Sequence, residues 1–161
     1  VSLGIEALIA DRVKNKPGMK ALLNVAGVTD SLTAQDVGFK LAPRINAAGR
    51  MADPALIERL FFEPHPDEAQ KLAKELDTLN TRRKEIQQEM VDSIAEMVPK
   101  EIPNFIVITG TKEDGFHKGV SGIVAARLRD QFNRPVAVAS GNGKHFTGSI
   151  RSIGMTKWPF E

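Results

Sequence analysis

The sequence has 161 residues, 42% of them hydrophobic, and a formal net charge of +2. No apolar run nears the eighteen or so residues that a membrane span needs, and with no cysteine, disulfides and thiolate metal sites are excluded. A pI near 9.0 permits nucleic-acid binding without arguing for it alone, and the composition fits a cytoplasmic location. The chain starts at Val1 without an initiator Met or the basic start and cleavage site of a signal peptide, which points to a piece cut from a longer protein.

Residues 1–27 read as two helices. Leu3, Leu8, Ile9 and Val13 share a face of the first, Pro17 starts the second, and Gly27 ends it. Thr33-Ala34-Gln35-Asp36 resembles a capping box with Asp in place of Glu, opening a short helix that Pro43 breaks. Asp53-Pro54 is a further N-cap and first-turn pair, leading into ALIERLFF. Over 66–98, Ala69, Leu72, Leu76, Leu79, Ile86, Met90, Ile94 and Met97 recur at three- and four-residue steps, with Arg83 interrupting the stripe. That spacing predicts one long polar helix with a narrow apolar seam, roughly 50 Å long at ~1.5 Å per residue. It is able to link two lobes; a coiled-coil or bundle helix has the same pattern.

After Pro99 the texture becomes β-branched. Asn104–Thr109, Pro135–Ala139 and His145–Ile150 read as strands, and Gly119–Phe132 as a helix between the first two. Strand, helix, strand with short loops predicts a parallel pair, and Gly141-Asn142-Gly143 a hairpin to the third strand. The fold class is therefore α/β: an N-terminal helical segment (1–65), a long connector helix (66–98) and a small lobe with a mixed sheet (99–161). That lobe, ~60 residues long, is short for a closed core, and the tail GMTKWPFE adds no obvious strand, so the domain is expected to be partly truncated.

Three polar segments carry possible chemistry. PRINAAGR at 43–50 offers Arg44, Asn46 and Arg50 among small residues, a set suited to holding phosphates and equally to a tight helix corner with surface arginines. GFHKGVSG at 115–122 lies between a strand and a helix, where free N–H groups and the helix dipole favour an anion; a turn whose glycines only permit packing has the same pattern. Neither the Walker nor the dinucleotide glycine order is present in it. GSIRS at 148–152 puts Ser149 and Arg151 on one face of a strand, as a phosphate cup or as an exposed polar edge. Together the three point to a phosphate-rich ligand. His65, His117 and His145 are the only histidines and none has a carboxylate placed as a fellow metal ligand, so no metal site is expected here.

In order and spacing, GFKLAPRINAAGRM, LDTLNTRRKEIQ, GFHKGVSGIVAARL and TGSIRS resemble the RecJ branch of the DHH phosphoesterases, and GIEALI and GMKALLNVAG resemble the end of a DHH domain. The oligoribonuclease branch would carry a run of glycines before His, where this chain has GSIRS. The resemblance covers roughly residues 2–153. It implies a processive 5′-to-3′ exonuclease on single-stranded DNA, used in recombination and repair, with two-metal phosphodiester hydrolysis by Mn2+ or Mg2+. The metal ligands would precede Val1, so this chain alone is expected to be inactive. By the same resemblance, 1–65 ends the DHH domain, 66–98 is the connector and 99–161 is part of the DHH-associated domain. Ser149 and Arg151, with Ser152 beside them, fall where the family grips the terminal 5′-phosphate. Arg44, Asn46 and Arg50 fall in the groove-lining motif, and His117 and Gly119 near the substrate backbone. Phe116 reads as core. Single-stranded DNA, and single-strand-binding or helicase proteins, are the implied partners, with no membrane. The competing readings are a non-catalytic nucleic-acid-binding homologue acting as a replication or repair scaffold, and a small-molecule phosphate enzyme using the 115–122 loop.

Overall fold

The computed structural model describes residues 15–28 and 32–154. The helix expected around Leu3–Val13 and the tail from Met155 onward lie outside those residues. The fold is α/β, with helices first, then a long helix and a small mixed sheet, as the sequence predicts. The chain divides into two compact units, Val1–Arg83 and Lys84–Glu161.

In the first unit, α1 (Pro17–Val25) begins at a proline and ends in a Schellman turn. Gly27 adopts φ +67, its N–H donates to Asn24 O at 3.1 Å, and the Val28 N–H reaches Leu23 O at 3.0 Å. α2 (Ala34–Asp36) opens with the expected capping box: Thr33 Oγ1 accepts from Asp36 N, and Asp36 Oδ2 accepts from Thr33 N. The Lys40 ammonium, 2.7 Å away, and these Thr33 bonds hold the Asp36 carboxyl down at about 2.

Pro43 does not break the helix. A π-helical turn, Val37–Leu41, runs without interruption into α3 (Ala42–Met51). The Ala42 N–H donates to Val37 O, one residue farther back than in an α-helix. Proline lacks an N–H and its ring crowds the carbonyl four residues earlier, so a wider turn accommodates it where an α-turn would not.

Asp53 then caps α4 (Ala55–Phe62), its Oδ1 accepting from Ala55 N at 2.9 Å. α5 (Pro66–Met97) is the long helix, 32 residues that begin at the second proline of Pro64-His65-Pro66. The first unit's core gathers Met19, Leu22, Leu23, Leu41, Ala48, Leu56 and Leu60 with Ala69, Leu72, Ala73 and Leu76 of α5. Fully burying one leucine of this kind is worth about 1.5–3 kcal/mol. The seam of α5 is buried at Ala69–Leu76 and again at Met90, Val91 and Ile94. Between these stretches stand buried Asn80 and half-buried Arg83, whose Nη2 donates to Asn80 Oδ1 at 3.1 Å. The interruption seen in the sequence thus falls where the two units divide.

In the second unit, β1 (Ile106–Thr111), α6 (Ser121–Phe132), β2 (Val136–Gly141) and β3 (Phe146–Arg151) form a sheet of order β1-β2-β3. β1 and β2 pair in parallel, and β2 and β3 antiparallel. The strands sit one or two residues later than the sequence predicts, because the first ladder bond, Ile106 N to Pro135 O, forms only there. Ile106, Val136 and Val138 are buried on the face that α6 covers, with Val120, Val124 and Leu128. Val107 and Ile150, on the opposite face, are 59% and 64% exposed. Phe116 is core, as expected, lying against Gly110 of β1.

Gly18 of α1 sits against the Leu60 backbone carbonyl, closer than any side chain allows. Gly18→Ala is therefore expected to lower stability by about 1–3 kcal/mol, although the same change in an open helix gains stability. The denaturant midpoint gives the sign directly.

Candidate nucleic-acid interface

Each unit holds its own set of polar residues. In the first, Arg44 leaves α3 inward, and its side chain is 16% exposed. Nε donates to Asp77 Oδ1 of α5 at 2.8 Å, Nη1 to Lys40 O at 2.7 Å and Nη2 to Val25 O at 3.3 Å. Those bonds engage three of the five guanidinium N–H groups and tie the end of α1, the π-turn and α5 together. Arg44 thus sits within the helix corner. Asn46 and Arg50 lie one turn apart on α3, both exposed, with exposed Gly49 on the same side. A Cβ at Gly49 would meet nothing within 4 Å, so that side of the helix is open to close approach. The Arg50 charge also acts on Arg83, whose pKa is lowered first by burial and then by this neighbour.

In the second unit, the loop from β1 to α6 is held by its own side chains. Asp114 Oδ2 accepts from Thr111 N and Thr111 Oγ1, and Gly115 turns with φ +81. His117 is half-buried. Its Nδ1 accepts from Gly119 N at 3.1 Å, its backbone N–H donates to Met90 Sδ, and its backbone carbonyl accepts from Ser121 Oγ at 3.2 Å. An accepting Nδ1 leaves the ring proton on Nε2, available as a donor. Burial, then the Lys112 and Lys118 charges, hold the imidazole pKa below its ordinary 6.5.

The same unit brings the loop's far end and β3 together. Ser149 pairs with Val138 and Arg151 with Val136, so both side chains stand on the α6 face of the sheet. They reach the first turn of α6: a Cβ on Gly122 would lie 3.0 Å from Ser149 Oγ and 3.1 Å from Arg151 Nη2. A hydroxyl and a guanidinium therefore meet at the start of a helix, whose dipole favours negative charge there: a donor-rich cup with the chemistry of an oxyanion site. Ser152 lies beyond the strand and donates to Ile153 O at 2.8 Å, outside that meeting point. Gly122 falls inside the helix that the sequence predicts over 119–132, where alanine is the more stable choice, and that was its signal.

Among the described residues no three His, Asp or Glu side chains gather as a metal ion requires. They do not fit the Mn2+ or Mg2+ of the resemblance, and no hydrolytic step is derived from them. No described helix is long and apolar enough to cross a membrane.

No protein-family model matches the chain. It is 41% identical over 145 residues to the single-stranded-DNA-specific exonuclease RecJ of Escherichia coli (strain K12), an alignment covering 87% of this chain and 25% of that protein. The protein of the same name from Bacillus subtilis (strain 168) is 39% identical over 157 residues, 94% of this chain and 19% of its own length. A crystal structure of exonuclease RecJ bound to manganese is similar with a TM-score of 0.75 and 32% identity, over 89% of this chain and 35% of that one. A second, of RecJ in complex with Mg2+ from Thermus thermophilus, gives 0.72 and 32%, over 88% and 22%. The chain thus spans a quarter or less of the length of these two curated relatives.

Asp77→Ala leaves the half-buried Arg44 without its carboxylate and is expected to cost about 1–3 kcal/mol, read as a shift in unfolding midpoint. For His117 the folded pKa is depressed, so its contribution is intact above 6.5 and is lost as pH falls through the lowered value. Acidification below pH 6.5 is expected to destabilise the second unit, and His117→Gln to flatten that dependence in melting curves.

Proposed function

We propose that this chain, which belongs to the RecJ family, holds the DNA strand for a 5′-to-3′ single-stranded-DNA exonuclease acting in recombination and repair. The observation that carries this reading is the meeting of Ser149 Oγ and the Arg151 guanidinium at the first turn of α6. A terminal phosphate is a compact dianion, and that cup offers it a hydroxyl, a planar fork and a helix dipole of the right sign.

The other residues take roles consistent with their surroundings. Asn46 and Arg50, exposed together on α3, contact phosphodiesters along the strand. Arg44 acts through the corner it fixes rather than as a direct ligand. Neutral His117 donates from Nε2 to the substrate backbone, with Gly119 keeping the ring in that tautomer. Ser152 lies at the rim. In the intact protein Mn2+ or Mg2+ is held by residues outside this chain, and hydrolysis follows the two-metal pattern there. Residues 1–65 end the DHH domain, 66–98 connect, and 99–161 belong to the DHH-associated domain. The intact enzyme works in the cytoplasm, with single-strand-binding or helicase proteins as its partners.

The test is Arg151→Ala in the intact enzyme, with oligonucleotides that differ only in a 5′-phosphate. The preference for the phosphorylated end is expected to fall by about tenfold or more, the scale of one charge-assisted hydrogen bond. Affinity for the unphosphorylated strand should change little. Each phosphate contact contributes about −0.7 to the log–log salt slope on single strands. Equal losses on both ends defeat the assignment.

A further inference from the structure

We infer that Gly122 sets the enzyme's specificity for a terminal phosphate monoester, by leaving the space in which Ser149 Oγ and the Arg151 guanidinium converge on α6. This rests on the reading of the cup given above and identifies the position that shapes it.

Glycine is not required at 122 by the backbone. The residue lies inside an α-helix, and its φ is not among the positive ones. Within a helix glycine costs about 0.5–1 kcal/mol relative to alanine, so its presence calls for another reason. Crowding by the scaffold is not that reason. At Gly18 and Gly148 an added Cβ would strike backbone, and at Gly110 an aromatic ring. At Gly122 the neighbours are Ser149 Oγ at 3.0 Å, Arg151 Nη2 at 3.1 Å and Ser149 Cβ at 3.4 Å. The space that a methyl group would fill is bordered by the two polar groups proposed to hold the ligand. The exposed Arg151 guanidinium donates from Nη1 to the Ile150 carbonyl beside it in its own strand at 2.8 Å, and a long flexible side chain of this kind is able to give way to a methyl. The hydroxyl and the guanidinium border that space beside the positive end of the helix dipole. A monoester presents three non-bridging oxygens and a dianionic charge to such an arrangement, an internal diester only two oxygens and one charge. Moving both donors by a few tenths of an ångström is felt most by the ligand that needs them together.

The experiment is a double-mutant cycle in the intact enzyme with Gly122→Ala, Arg151→Ala and the pair. Dissociation constants are measured for 5′-phosphorylated and 5′-hydroxyl oligonucleotides, together with melting temperatures. Gly122→Ala is expected to lower the phosphate preference about tenfold, to leave the 5′-hydroxyl affinity within about twofold, and not to lower the melting temperature. Because Gly122 acts through Ser149 and Arg151 together, the pair should lose clearly less preference than the two single losses added. The inference is overturned if Gly122→Ala keeps the full preference, weakens both ligands equally, adds its loss to that of Arg151→Ala, or melts lower or fails to fold, since the methyl is then felt by the scaffold. If the unmutated enzyme shows no preference for the phosphorylated end, the phosphate reading of the cup fails instead, whatever Gly122→Ala does.

Discussion

Ser149 and Arg151 reach the first turn of α6 only because β3 is in register with β2, Ser149 opposite Val138 and Arg151 opposite Val136. Strand side chains alternate, so a slip of one residue would turn both to the face of Val107 and bring Ile150 onto the α6 face in their place. The register is set at the hairpin. Asn142 Oδ1 accepts from Lys144 N and His145 N, and Gly143 supplies φ +86. The parallel β1–β2 pair imposes the other half of the constraint. It needs a crossover, and the crossover is α6, whose start then lies over the sheet near β3. The chemistry of the cup thus depends on a polar turn that has no place in it.

In the first unit the governing contact is a single cation in a helix corner. Arg44 donates to the Val25 carbonyl at the end of α1 and to the Lys40 carbonyl in the π-turn, while its charge is met by Asp77. One side chain thereby fixes the direction in which α3 presents Asn46 and Arg50. An arginine is suited to this as a lysine is not, because its donors are spread over a rigid plane.

What was legible in the sequence was mostly local. The Gly27 stop, the Thr33 box and the Asp53 cap are patterns a few residues wide, and each folds as read. The long helix and the strand–helix–strand order were legible because periodicity survives over many residues. The grouping of Ser149 with Arg151 followed from strand alternation. The Arg44–Asp77 pair was not legible, because its two members stand 33 residues apart on different helices, where no local pattern points. Pro43 was read as a break because the local rule weighs proline against an α-turn and not against a wider one. The convergence on Gly122 joins a helix to a strand more than twenty residues on, which spacing alone does not reveal.

The wide turn at Val37–Leu41 also limits how this stretch can vary in length. It already holds one residue more than an α-turn would, and at about 4.4 residues per turn its five residues rotate the chain by roughly 410°, close to the roughly 400° of four α-helical ones. The buried alanines of α3, Ala47 and Ala48, thus keep their phase with the core, and Arg44 stays on Asp77. Loss of that one residue should be tolerated, whereas a further insertion or a second deletion between the Thr33 cap and Pro43 would rotate α3 by about 100° and should be far less tolerated than substitutions at exposed positions such as Gln35 or Gly38.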